Sequence, residues 1–210
     1  MNKKKLVTDV FFDLDHTLWD FDKNSMLAFK RVFKKFKINI EFDAFLRVYE
    51  PINIAYWKKY REDKVSKEQL RRGRLKDSFK NFDIFYTTQK IDEIADSYIH
   101  ELPFDNHLFD GALEILDYLN LKYKLHIITN GFEEVQHKKL KNSGIDHYFS
   151  SVTTSEEVGV KKPNPKVFLT ALHKANSKAA DCIMIGDSLE ADILGAKNIG
   201  MQTIFYNYRN

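Results

Sequence analysis

Five short apolar runs rich in Val, Ile and Phe punctuate this chain: Leu6–Phe12, Leu125–Thr129, Ser151–Thr153, Cys182–Ile185 and Thr203–Phe205. Runs of this length and enrichment read as buried strands. Between the later ones lie stretches with helical marks. Gly111–Leu121 sets Leu113 and Leu116 on one face, and Glu133–Asn142 is amphipathic and stops before Gly144. Pro165–Ala175 opens on a proline suited to a first helical turn, and Leu189–Asn198 stops before Gly200. Strands and helices that alternate in this way imply an α/β chain, a parallel sheet covered by helices on both faces in a Rossmann-like three-layer α/β/α arrangement.

One stretch breaks the rhythm. From about Asp20 to about Leu102 no strand-like run occurs, and Phe29, Phe33 and Phe36 recur at helical spacing. The simplest organisation is an α/β core, residues 1–18 and 103–210, interrupted after its first strand by an all-helical insertion, residues 19–102. Pro103 marks the return to the core. Most of the aromatics in the insertion are expected to pack a small helical bundle.

Composition excludes several classes. At 210 residues the chain can bury a full core, and no apolar run approaches the ~20 residues of a membrane helix. The apolar part of the N-terminus is too short for a signal peptide. The single cysteine, Cys182, rules out an internal disulfide or a cysteine-rich zinc site and reads as a small buried hydrophobe. A reducing, cytoplasmic setting is expected, with no membrane partner. Net charge is only +3, with both signs interspersed, so no nucleic-acid partner is expected. The seven histidines show no metal-ligand spacing and suggest no Ser–His–Asp set.

Four motifs carry chemistry. Asp13-Leu14-Asp15-His16-Thr17 directly follows the first run, where a parallel sheet presents ligands. Thr129-Asn130-Gly131 closes the second run with a turn whose amides can cradle a phosphate oxygen. Lys161-Lys162-Pro163-Asn164-Pro165 holds two lysines before a helix, either of which can reach a phosphate. Gly186-Asp187-Ser188-Leu189-Glu190-Ala191-Asp192 follows the fourth run, where Asp187 can add a hard oxygen ligand for magnesium. Each alone could be turn and cap residues. Their shared placement at strand ends is what argues for a site.

In this order the motifs resemble those of the haloacid dehalogenase superfamily: Asp13-x-Asp15-x-Thr17, Thr129-Asn130-Gly131, Lys162-Pro163 and Gly186-Asp187-Ser188-x-x-x-Asp192. The helical insertion is similar to that superfamily's cap domain. The resemblance implies an Mg²⁺-dependent phosphomonoesterase in which Asp13 is the nucleophile and Asp15 the acid and base. It implies magnesium held by Asp13, Asp15 (through its backbone carbonyl) and Asp187. Thr129, Asn130, Gly131 and Lys162 would bind phosphate, with Thr17, Ser188 and Asp192 in support. The pattern favours Lys162 over Lys161 because the lysine directly precedes proline.

The run Asn53–Tyr60 with Val65–Arg74 is similar to the YjjG-type pyrimidine nucleotidase branch. That implies small phosphorylated metabolites, nucleoside 5′-monophosphates above all, as substrates of a monomer or weak dimer. Trp19, Tyr56, Trp57 and Arg74 are the candidate substrate contacts. The alternatives are a sugar-phosphate phosphatase and a phosphoglucomutase-like phosphotransferase. A 2-haloacid dehalogenase fits less well, since it needs neither Asp15 nor a metal.

Overall fold

The computed structural model describes residues 7–209, so Leu6, at the head of the first expected strand, lies outside the described residues. The strand β1 (Asp9–Phe12) is followed by four helices, α1 (Phe21–Phe36), α2 (Phe42–Arg61), α3 (Lys67–Lys80) and α4 (Thr88–Glu101). Then come α5 (Ala112–Asn120), β2 (Lys124–Thr129), α6 (Glu133–Asn142), β3 (Phe149–Thr154) and the short α7 (Ser155–Val158). The chain ends with α8 (Pro165–Ala175), β4 (Cys182–Gly186), α9 (Gly195–Asn198) and β5 (Gln202–Phe205). No helix among the described residues is long and apolar enough to cross a membrane.

All five strands pair in parallel, in the order β3-β2-β1-β4-β5. β1 lies at the centre and all four of its residues are buried, as expected of a strand covered on both faces. β3 starts two residues earlier than its apolar run, because pairing with β2 continues across a register shift at Leu125 and His126 to Phe149. Sheet pairing extends the strand there through Phe149 and Ser150, which lie outside that run.

The helix ends follow local chemistry. At α8 the Asn164 side chain accepts from the Lys166 N–H, Pro165 takes the first turn, and Asn176 closes the helix in the left-handed region (φ 53°). The buried stripe Val167, Phe168, Ala171, Leu172 and Ala175 packs with Phe11, Ile128, Cys182 and Met184. Each large apolar side chain so buried contributes about 1.5–3 kcal/mol. Gly195 makes this packing possible: a Cβ there would sit 2.6 Å from the Phe168 ring and 3.1 Å from the Pro163 backbone. Cys182 is fully buried in this cluster.

The chain divides into two compact units, of which Asn24–Asp105 is the helical one. Trp19 and Asp20 belong to the α/β unit, since the Trp19 N–H donates to the Leu14 carbonyl (2.9 Å) and Trp19 pairs with Leu108. Within the helical unit Phe29 stacks on Tyr98 (4.1 Å) and meets Phe45 and Tyr49 edge-on (5.3 and 4.7 Å). Phe33 packs on Phe45 at 4.7 Å. Phe29, Phe33 and their partners therefore form a hydrophobic core. Ser66 and Gln69 start α3 with reciprocal side-chain caps.

Candidate active site

The loops that follow the C-terminal ends of the central strands supply the site. The chain leaves β1 at Asp13, whose N–H still donates to Ile185 on β4 (2.9 Å). It then folds into a tight loop in which the Leu14 carbonyl accepts from Leu18 and Trp19, and His16 takes φ 64°. The two acids of that loop meet different partners.

Asp13 meets Lys162. The lysine is 1% exposed, and its ammonium lies 2.6 Å from Asp13 Oδ1, 2.6 Å from the Ile128 carbonyl and 2.7 Å from Asp192 Oδ1. Asp13 and the Ile128 carbonyl accept hydrogen bonds from the ammonium, and Asp192 adds a close ion pair. Asn130 fixes the lysine's backbone from both sides, accepting from the Lys162 N–H (2.8 Å) and donating to its carbonyl (3.0 Å). Lys161 is only half-buried. Burial works against the Lys162 charge, but Asp13 and Asp192 outweigh it and hold the ammonium above its ordinary pKa.

Three carboxylates converge: one oxygen each of Asp13, Asp187 and Asp192 lie within 4.8 Å of one another. Burial pushes the Asp13 carboxyl well above the usual range against the pull of Lys162, and Asp192 and Asp187 add to it. Burial and then Asp192 push Asp187 up to about 7. Asp192 is placed by its own helix start. Its Oδ2 accepts from the Ser188 N–H (3.0 Å), and Ser188 caps the Ala191 N–H (3.1 Å). The Ser188 carbonyl accepts from both Asp192 and Ile193, so the turn Leu189–Leu194 winds as a π-helix, a form common at functional sites. Gly186 is obligatory, because a Cβ would lie 2.4 Å from Asp192 Oδ2.

An all-oxygen set with three carboxylates and one ammonium fits a hard divalent cation such as Mg²⁺. The side chain that joins Asp13 and Asp187 in that set is Asp192; the Asp15 carboxylate is engaged elsewhere. Thr17 Oγ1 is buried with no hydrogen-bond partner among the described residues.

Asp15 is held from α6. Lys139, 1% exposed, places its ammonium 2.5 Å from Asp15 Oδ1 and 4.0 Å from the Trp19 ring. Gln136 donates to Asp15 Oδ2 (3.0 Å) and to Thr129 Oγ1 (2.6 Å). Thr129 Oγ1 also accepts from the Gly131 N–H (3.0 Å). With both lone pairs of Thr129 engaged, its hydroxyl proton must point to a third group. The Gly131 amide is therefore committed inside the turn, and a Cβ at Gly131 would lie 2.2 Å from Gln136 Nε2.

Gln136 and Lys139 were not among the residues expected from sequence. Their signal was present but polar: they share one helical stripe with the buried Val135 and Leu140. The candidate substrate contacts are scattered. Trp19 is 0% exposed and backs Lys139. Tyr56 donates to Asp77 Oδ2 (2.8 Å), Trp57 packs on Tyr60 (5.7 Å), and Arg74 is buried in the helical unit.

One expectation is corrected. Ser151, His126 and Asp9 do form a hydrogen-bonded Ser–His–Asp chain, with His126 2.8 Å from Ser151 Oγ and 3.0 Å from Asp9 Oδ1. The three lie on adjacent strands, far apart in sequence, which is why spacing did not reveal them. His126 also stacks on Phe11 (4.6 Å), inside the sheet.

A model of the haloacid dehalogenase-like hydrolases matches residues 10–206. The chain is 32% identical to the pyrimidine 5′-nucleotidase YjjG of Escherichia coli, over 94% of this chain and 85% of that protein. It is 31% identical to a glyceraldehyde 3-phosphate phosphatase of Methanothermobacter thermautotrophicus, over 94% of this chain and 84% of that protein. The structure of the HAD-hydrolase YfnB from Bacillus subtilis, bound to magnesium, superposes with a TM-score of 0.89 at 28% identity, covering 97% of this chain and 90% of that one. With the family pattern matched over nearly all of its length, this protein belongs to the haloacid dehalogenase-like hydrolases.

Proposed function

We propose that the protein is a phosphomonoesterase that works through a phospho-aspartate on Asp13, takes Mg²⁺, and acts on pyrimidine nucleoside 5′-monophosphates. The observation that carries this reading is the Asp13–Lys162 pair (2.6 Å) standing beside Asp187 and Asp192. A magnesium ion held by Asp13, Asp187 and Asp192 would neutralise charge between carboxylate and phosphate. Lys162 engages Oδ1 of Asp13 and leaves the other oxygen to attack phosphorus. The hydroxyl proton of Thr129, left over once its oxygen has accepted from Gln136 and Gly131, would donate to a phosphoryl oxygen.

As the Asp13–phosphorus bond forms and the ester P–O bond breaks, Asp15 delivers a proton to the departing alkoxide. Asp15 then takes a proton from the water that attacks the phospho-aspartate, which releases phosphate and restores Asp13. Lys139 and Gln136, one on each oxygen, hold the Asp15 carboxylate in place for both transfers. A dehalogenase would use neither this second acid nor the carboxylate cluster. A cytoplasmic setting agrees with Cys182, whose thiol burial pushes up to about 12 and leaves inert.

The nucleotide part rests on the likeness to YjjG. A sugar-phosphate substrate is the second reading, favoured by the likeness to the glyceraldehyde 3-phosphate phosphatase. Steady-state phosphate release from a panel of nucleotides and sugar phosphates tests both. Release from dTMP or dUMP is the expected result. Faster turnover of sugar phosphates would replace the nucleotide reading, and sugar isomerisation without phosphate release would overturn the hydrolase mechanism.

A further inference from the structure

The segment after β5 stays beside the active site. The Tyr206 N–H donates to the Gly186 carbonyl (2.9 Å), and the residues that follow reach the loop after β1. There the Tyr208 ring stacks on the His16 imidazole, with centroids 4.9 Å apart and planes 21° from parallel. Phe21 meets the same imidazole at 5.0 Å, and Phe109 backs Tyr208 at 5.6 Å. All four residues belong to the α/β unit.

His16 is where that loop is least free. Its φ of 64° is a left-handed conformation, which a residue with a Cβ keeps only where its surroundings impose it. One constraint is in the backbone, where the His16 N–H donates to the Trp19 carbonyl (3.0 Å). The side chain is held differently. Its Nδ1 is buried with no hydrogen-bond partner among the described residues, and the Asp22 carboxylate stands 3.8 Å away. Arg209 reaches Asp22 at 3.4 Å, but both partners are about half exposed, so that pair contributes little. Ring stacking is therefore the main hold on the imidazole. The consequence reaches Asp15. The φ torsion of His16 sets the direction of the Asp15–His16 peptide, so a fixed imidazole fixes the main chain on which Asp15 ends. The Asp15 carboxylate is anchored separately, by Lys139 and Gln136 from α6.

We infer that Tyr208 is a positioning residue for Asp15: its ring, stacked on His16, keeps the loop after β1 in the backbone conformation that seats the Asp15 carboxylate between Lys139 and Gln136. This rests on the reading above in which Asp15 protonates the departing alkoxide. It adds a second, independent hold on that acid, from a segment that neither touches the carboxylate nor lies near it in sequence.

The test uses the intact protein and two kinds of ester. An alkoxide needs a proton in order to leave, whereas p-nitrophenolate leaves without one. Values of kcat/KM are measured for dTMP, or glyceraldehyde 3-phosphate if wild type prefers it, and for p-nitrophenyl phosphate. Tyr208→Ala should lower the value for the alkyl ester by roughly 10-fold and that for p-nitrophenyl phosphate by less. The ratio of the two does not depend on the fraction of folded enzyme. Tyr208→Leu takes the place of the alanine variant if that one does not fold. Tyr208→Phe keeps the ring and should restore the ratio to within about twofold of wild type. Glycine adopts φ 64° unaided but offers no ring, so His16→Gly should lower the ratio as Tyr208→Ala does, and the double variant should fall no further. Equal losses on both esters, no rescue by phenylalanine, or additive losses in the double variant would each overturn the inference. Crystal structures of wild type and Tyr208→Ala give a readout without turnover. We expect His16 to leave the left-handed region in the variant and the Asp15–Lys139 pair to open; an unchanged loop overturns the inference. Wild type that hydrolyses neither ester overturns the phosphatase reading alone, and the crystal structures then still decide whether Tyr208 holds the loop.

Discussion

The ammonium of Lys139 lies 2.5 Å from Oδ1 of Asp15, an ion pair between residues 124 positions apart in the chain. The partners come from α6 and from the loop after β1, and the other Asp15 oxygen is taken by Gln136 one helical turn away. Removing the cation in Lys139→Met leaves Asp15 oriented from one side only. We expect kcat to fall by roughly 10- to 100-fold, less than the ~10²–10⁴-fold expected of Asp15→Asn. Lys139→Met with wild-type kcat would show that the pair is structural.

Asp13→Asn keeps the shape of the side chain and removes the proposed nucleophile. Turnover should vanish while the far-ultraviolet circular dichroism stays native. Residual activity within ~10²-fold of wild type would exclude Asp13 as the attacking group. Wild type quenched during turnover should carry phosphate on Asp13.

The carboxylate cluster gives a pH-dependent stability with a definite sign. The Asp187 carboxyl is raised from 3.8 to about 7, so its contribution to stability is complete near pH 4 and is lost as pH rises through about 7 in the metal-free protein. A divalent cation offsets that loss and competes with the proton. The rise in melting temperature given by Mg²⁺ should therefore grow between pH 6 and pH 8, and Asp187→Asn should flatten the trend. A shift that is equal at both pH values would argue against Asp187 as a ligand. Chelation should abolish phosphate release, and added Mg²⁺ should restore it.

The buried chain Ser151–His126–Asp9 works in the opposite sense. Burial holds His126 below its ordinary pKa of 6.5, so the unfolded chain binds a proton more readily and stability falls as pH drops below about 6.5. Asp9 is pushed up by burial, but hydrogen bonds from Thr8, His126 and Ser177 outweigh this and hold it below 3.8, so its contribution is lost only in stronger acid. His126→Gln should reduce the loss of melting temperature between pH 7 and pH 5 relative to wild type. The Asp187 contribution cancels in that difference. Parallel curves for the two proteins would sink the idea.

Much of this molecule was legible in its sequence because the determinants are local. Apolar runs set the strands, Pro165 opens α8, and Asp13, Lys162 and Asp187 stand in short motifs next to strand ends. Sheet pairing then decided what no local pattern encodes. β3 gained Phe149 and Ser150 through its register with β2, and Ser151, His126 and Asp9 met across three strands.

Gln136 and Lys139 read as a solvated helix surface until the stripe they share with Val135 and Leu140 was turned onto the Asp15 loop. Asp192 joined Asp13 and Asp187 only because Ser188 and a π-helical turn aim its carboxylate inward, with Gly186 leaving room. The sequence by itself determined most of the strands, the proline start of α8 and the motif that carries Asp13 and Asp15, because these depend on neighbours a few residues away. The tertiary structure alone decided which polar side chains lie buried beside that motif, because burial and electrostatic pairing depend on distances that sequence separation does not set.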